Sequence, residues 1–511
     1  MQRSIGYTPT IFNFHMNILS HYWSRIIISG KNNRTLGIAL ILFPLPIIGW
    51  AITKGSFKPF QILVLLMVFL FFLWVLIKPH IGVLGTIVFI FIPVSIGNLF
   101  RIPHLEVAEV VIPLITIVYF LSKILKRKPI FVFKRSMNPL LIPILLYFGV
   151  IFTNYLRNPL PPSSIVGIPQ ELGGLRIYYS FFLSCCTYLL FAEAVSSDMK
   201  IIPGIEGLFW QICLLLSLFG VVLIYSYPGQ NILYSLQTQG VFSPSLFSAA
   251  GTELLETRYG MVSGAYRIGT LGEVASICLV LLFAGAKKVN VLWKWILYGF
   301  LWFGVILSGG RGTFVGTVLA FYLCVALQKG RKALPLLFVL GFMVYICVFV
   351  CYDILPLQLQ RILKILGPLE QLDVGRSRVF PIFWSSFLEN PVFGVGVGSV
   401  EIRGTGMTRF VTQQLRFGGH GTYLSLLYTT GLLGFIPFLW IYLAGIKSSL
   451  SVFYRTSNKM VKTLSLFCVL YIIHDSIPLG FGGRGASLPL FIVFGIISGF
   501  YLNQKCCKNC L

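Results

Sequence analysis

The sequence predicts an all-α polytopic integral membrane protein with about 12–14 transmembrane helices, the number that apolar runs of about 20 residues allow. Three observations carry this reading. First, 56% of the 511 residues are hydrophobic, only 11% are charged, and the mean hydropathy is +0.86. Soluble domains are about 25% charged, so a soluble enzyme is excluded, as is a disordered chain, which needs low hydrophobicity and high charge. Second, apolar runs of membrane-spanning length recur along the chain. Third, the basic excess lies between those runs. Lys plus Arg is 40 against 15 for Asp plus Glu, a net charge of +25. In a soluble protein this would point to nucleic acid. Here the charges alternate with spans and act as orientation signals, so the expected partner is the lipid bilayer and no nucleic acid.

Fourteen candidate spans follow in order, at 36–52, 60–77, 81–99, 107–123, 139–154, 177–196, 208–226, 269–286, 291–308, 311–328, 334–352, 421–446, 462–478 and 486–503. The tail before residue 36 scatters Arg3, Arg25, Lys31 and Arg34 and has no small-residue cleavage site after an apolar stretch, unlike a signal peptide. The densest basic loop runs from Lys123 to Arg135. Placing it in the cytoplasm fixes the other loops by alternation and leaves both termini cytoplasmic.

That orientation puts 24 basic residues inside and 16 outside. The inner set is 17 Lys and 7 Arg, whereas the outer set is 3 Lys and 13 Arg. Orientation signalling does not distinguish Lys from Arg. Arginine is the better fork for phosphate and carboxylate, so the outer face is expected to handle an anionic ligand. None of the eleven cysteines falls in an outer loop, and no structural disulfide is expected. Cys507 and Cys510 form a lone CxxC in the C-terminal tail, without the second pair that a structural zinc site needs.

Two outer loops are long, at 227–268 and 353–420, and loops above about 15 residues usually carry function or structure of their own. In the second, Leu355, Leu359, Ile362, Leu363 and Leu366 recur at helical spacing, as in a helix lying in the membrane interface. A further helix is expected over 377–388, with Phe380, Phe383, Trp384 and Phe387 on one face and Asn390-Pro391 ending it. The glycines of VFGVGVGS (392–399) either let the backbone approach a phosphate or sugar, or simply form turns.

Chemistry-bearing residues concentrate at outer span ends. His420 closes the long loop immediately before a span, near Arg403, Arg409 and Arg416. A histidine there can take a proton from a sugar hydroxyl near neutral pH, or cap a helix. Arg267 precedes one span, Arg311 opens another within SGGRGTF (308–314), and Arg376 and Arg378 lie in VGRSRVF (374–380). An arginine at the hydrocarbon boundary either snorkels or meets an anion. Outer-loop acids form no close set beyond Glu253 and Glu256. Hard divalent ions need clustered oxygen ligands, so no metal and no cofactor are expected.

Three stretches, in this order, resemble the O-antigen ligase and O-antigen polymerase family. They are Gly310-Arg311-Gly312 at a span entrance, an arginine-led helix from Arg376 or Arg378 to Asn390-Pro391 with the glycine-rich turn after it, and His420 with Tyr423, Leu424 and Gly431 to Gly434. The resemblance covers about 265–435; elsewhere the match is only a stack of spans. It implies a membrane glycosyltransferase of the GT-C type in a bacterial inner membrane. Such an enzyme moves a glycan from an undecaprenyl pyrophosphate carrier to an acceptor hydroxyl, a growing glycan or lipid A-core, at the periplasmic face. The reaction inverts the anomeric centre without metal or nucleotide. Carried over, Arg311, Arg376 or Arg378, and more weakly Arg267, bind pyrophosphate, and His420 activates the acceptor. Gly421 stands where the family often has Asn, and Glu273 where a neutral polar residue is common. The implied layout is an N-terminal tail (1–35), N-terminal spans (36–264), a ligase-like catalytic region (265–446) with periplasmic loop 353–420, C-terminal spans (447–504) and a Cys-rich tail (505–511). A transporter or flippase of lipid-linked oligosaccharide is the alternative. It would line a central cavity with charge, whereas here charge gathers at outer span ends.

Overall fold

The computed structural model describes residues 78–91, 107–125, 128–133, 138–157, 173–225, 269–285, 290–308, 311–330, 335, 341, 384–396, 422–481 and 488–508. The chain divides into two compact units, 1–82 and 83–511. Apart from the first turn of α1, the helices described here belong to the second.

Eleven of the expected spans coincide with helices: α1 (Pro79–Phe91), α2 (Val107–Leu125), α3 (Leu141–Arg157), α4 (Gly173–Ser197), α5 (Ile202–Tyr225), α6 (Gly269–Ala284), α7 (Val291–Leu307), α8 (Arg311–Lys329), α9 (Thr422–Arg455), α10 (Lys459–Phe481) and α11 (Leu488–Lys508). The expected spans 36–52 and 60–77 lie outside the described residues, as does 334–352 except for Pro335 and Gly341. No strand occurs among the described residues. Among the described residues, five helices are long and apolar enough to cross a membrane, and six shorter ones are apolar.

These helices are apolar on both faces. On α2, Ile112 and Ile115 are fully buried, while Leu114, Ile117, Leu121 and Ile124 are exposed at helical spacing. On α7, Val291 and Trp295 are about 70% exposed. Water would penalise such a surface, but lipid does not. Inside the bundle, polar side chains turn back on their own helices. The hydroxyls of Thr116, Thr187, Ser217, Thr317, Thr430 and Ser465 each donate to the carbonyl four residues earlier, at 2.7–2.8 Å, so each is satisfied without a partner helix.

Packing centres on α6, which touches α5, α7, α8 and α10, and on α10, which also touches α9 and α11. The closest pair is α4 with α11. There Gly495 and Gly499, one turn apart, lie on Ala192: a Cβ on Gly495 would come 2.6 Å from Phe191 Cβ, and one on Gly499 would come 2.6 Å from Val195 Cβ. Small residues four apart let membrane helices meet backbone to backbone.

Two features depart from the sequence reading. Lys123, expected as a loop charge, is buried and paired with Glu193, and it also donates to the Ser197 hydroxyl and to the Pro129 carbonyl. Glu193 in turn accepts the Val132 N–H at 2.8 Å. A lone charge here would carry a desolvation cost of several kcal/mol, about that of any unpaired buried ion, and the pair ties the basic loop onto α4. The second departure is α9, which continues to Arg455 rather than ending near 446. The link to α10 is therefore only Thr456–Asn458, with Asn458 Oδ1 accepting the Met460 N–H at 3.0 Å as an N-cap.

Candidate active site

Arg311 is the first residue of α8, as the sequence reading requires. The turn before it is built on α6. Ser308 caps α7, its N–H donating to the Gly304 carbonyl at 3.1 Å and its hydroxyl to Val305 at 2.6 Å. It sits where Gly272 leaves space, since a Cβ there would be 2.3 Å from Ser308 Oγ. The first-turn N–H groups of a helix have no intrahelical acceptor and form a positive end suited to anions. Arg311 thus opens at such an end; its side chain lies outside the description.

The second element is the loop turn. Residues 384–389 are helical and end at Asn390, whose N–H donates to Phe387 at 3.1 Å, as Asn390-Pro391 predicts. Phe387 is buried, and its ring lies 5.5 Å from that of Trp384, which is exposed. Pro391 to Gly396 then dock into a break in α9. The Val395 and Gly396 N–H groups donate to Tyr428 and Thr429, and the Leu432 and Leu433 N–H groups donate to Pro391 and Val392, all at 2.9–3.1 Å. The break is Gly431, at φ 61° and ψ −164°. A helix interrupted in apolar surroundings must re-satisfy its freed backbone groups, and here the loop turn does so. Gly394, also at positive φ, is the counterpart of Gly431. A Cβ on Gly394 would be 2.6 Å from the Gly431 nitrogen, and one on Gly431 would be 2.3 Å from the Val392 oxygen. Of the two uses open to these glycines in sequence, Gly394 and Gly396 serve turn formation and contact with another backbone. Gly398 lies outside the described residues.

The third element is the start of α9 at Thr422, two residues after His420. Tyr423 fastens this first turn to α10 by donating to the Ser476 carbonyl at 2.8 Å. The start of α8 meets the same stretch of α10, where Gly316 packs on His474. The backbone therefore carries the openings of the Arg311 helix and of the helix after His420 to one end of α10. Arg267, Arg376, Arg378 and His420 themselves lie outside the described residues.

Three neighbouring residues are not among the site residues read from the sequence. The Arg157 guanidinium, at the end of α3, stacks over the Phe393 ring of the docked turn at 5.4 Å. His474 and Asp475 lie between the two helix starts, and Tyr442 donates to Asp475 Oδ2 at 3.4 Å. Their adjacency in the chain was visible; what surrounds them was not.

Residues 296–439 match the family model described as O-antigen ligase. The matched stretch takes in Arg311, the docked turn, the break at Gly431 and the positions of Arg376, Arg378 and His420; Arg267 and α10 fall outside it. No curated protein matches the chain. The chain is thus a multi-pass helical membrane protein in which residues 296–439 are similar to the O-antigen ligase family.

Proposed function

We propose that the protein transfers a glycan from an undecaprenyl pyrophosphate carrier to a sugar hydroxyl at the periplasmic face of a bacterial inner membrane, without metal and with inversion. The observation that carries this reading is the convergence of the α8 start and the α9 start on one end of α10. One start is a helix N-terminus led by arginine, suited to pyrophosphate. The other follows a histidine suited to proton transfer.

Arg311, Arg376 or Arg378, and Arg267 as a weaker fourth candidate, hold the two phosphates. His420 takes the proton of the acceptor hydroxyl as its oxygen attacks the anomeric carbon. The bond from that carbon to the phosphate oxygen breaks on the opposite side, so the configuration inverts and undecaprenyl pyrophosphate departs with the bonding electrons. Pyrophosphate is a good leaving group, so the work is orientation and stabilisation of its growing charge. The acceptor is a growing glycan or lipid A-core.

The test supplies purified protein with carrier-linked glycan and acceptor, with chelator present throughout. The expected product is a new glycosidic bond of inverted configuration. Carrier-linked glycan moved across a vesicle membrane with no new bond would replace transfer with transport. Dependence on added divalent metal would end the metal-free part.

A further inference from the structure

Trp384, Leu388, Val392 and Phe393, all within the docked segment of the long loop, are 48% to 60% exposed. Residues 384–389 are helical, so positions four apart share a face. Trp384 and Leu388 form one exposed face, Ser385 and Glu389 form the next, and Phe387 is buried. One side on protein, one apolar and exposed, one polar and exposed is the pattern of a helix lying at a membrane surface. Large apolar side chains grouped in this way mark a contact surface, and tryptophan favours the lipid–water boundary.

Two contacts set the depth of this surface. The Leu433 N–H donates to the Val392 carbonyl at 3.1 Å. Leu433 and Ile436 are themselves exposed, on a helix apolar enough to span a membrane, so the Val392 surface adjoins the lipid-facing side of α9. Beside Val392, the Phe393 ring lies 5.4 Å from the Arg157 guanidinium. Arg157 ends α3, an apolar helix whose Phe152 and Leu156 are exposed. An arginine at such an end snorkels toward headgroups, so it marks the edge of the hydrocarbon, and Phe393 stands at that edge. We propose that the face formed by Trp384, Leu388, Val392 and Phe393 is inserted in the lipid bilayer, at the boundary between acyl chains and headgroups. Bilayer lipid is the occupant because the face continues the lipid-facing surface of α9 and lies level with the end of α3. The inference concerns where the loop sits and stands apart from the glycan-transfer reading.

The test places the photoreactive residue p-benzoylphenylalanine at Leu388 or, as the control on the polar face, at Glu389. The full chain is reconstituted in nanodiscs of palmitoyl-oleoyl phosphatidylethanolamine and phosphatidylglycerol, which contain no polyprenyl carrier. After irradiation, intact mass and peptide mapping identify what each probe has joined. Phospholipid adducts are expected at 388 and a clear loss of them at 389. Absence of lipid adducts at 388, or equal adducts at both positions, overturns the proposal. So does a probe at 388 that joins a second copy of the chain or another segment of its own chain. If the 388 variant does not fold, the probe goes to Trp384, an aromatic position on the same face, with the same outcomes required.

Discussion

Among the described residues, the buried polar clusters at Lys123 and at His474 are built differently. Around Lys123 and Glu193 the groups close on one another: the ammonium meets a carboxylate, a hydroxyl and a carbonyl, and the carboxylate also takes the Val132 N–H. A similar knot joins Tyr188, Asn138 and Ser498 at 3.0–3.1 Å. Around His474 and Asp475 the groups face other elements: Gly316 of α8 packs on the imidazole, and Tyr442 of α9 donates to Asp475. A cluster that serves the fold satisfies itself, because each unpaired buried group weakens the fold. Substitutions at the two places should therefore separate stability from turnover.

The largest effect is expected at His420, two residues before the start of α9. His420→Ala should lower kcat by about 100-fold or more, the scale of a general base, while donor binding stays near wild type. His420→Gln should not restore turnover, because an amide takes no proton near neutral pH; robust turnover by that variant would reduce His420 to a capping role. The closed cluster should behave in the opposite way. Glu193→Ala leaves Lys123 buried and unpaired, and truncating one member of such a pair typically costs about 3–5 kcal/mol. Thermal unfolding in detergent should shift strongly downward, with little change in kcat per folded molecule. If kcat falls without a stability loss, the contrast between the clusters fails. Arg311→Lys keeps the charge and loses the guanidinium fork, so transfer should drop about tenfold or more at equal membrane abundance. Near wild-type transfer would show that the residue only snorkels. The smallest effect belongs to Tyr423→Phe. It removes one hydrogen bond to the Ser476 carbonyl, worth about 1 kcal/mol, and should lower kcat only a few-fold through looser placement of the α9 start.

Spans were the most legible part of the sequence because a run of apolar residues is a local signal, and Arg311 at a helix start follows from the apolar run behind it. What stayed hidden was set by distant partners. Gly431 sits within a span and reads as continuous helix; it breaks where a turn 35 to 40 residues upstream supplies hydrogen bonds to the interrupted backbone. Lys123 reads as one more loop charge until Glu193, 70 residues later, folds against it. Gly495 and Gly499 carried a readable signal, a small-residue pair at helical spacing, but the partner helix could not be named from it. His474 was visible only as a histidine beside an aspartate, since its packing against Gly316 of α8 is a property of three-dimensional surroundings.

The docking of Gly394 against Gly431 also sets the leash lengths of the long loop. Measured along the chain from its ends, 353–420 is one stretch of 68 residues. Once 391–396 is seated in α9, the tether becomes two arms, each with an anchored end. Arg378 lies six residues before Trp384, the start of the anchored segment, and Arg376 eight. At about 3.5 Å per extended residue they reach no farther than roughly 20 and 28 Å from it. His420 is two residues from Thr422 and is confined to about 7 Å of that helix start. Two glycines thereby shorten the stretches of chain that carry those arginines, and lengthening either arm while leaving every charge in place should weaken transfer.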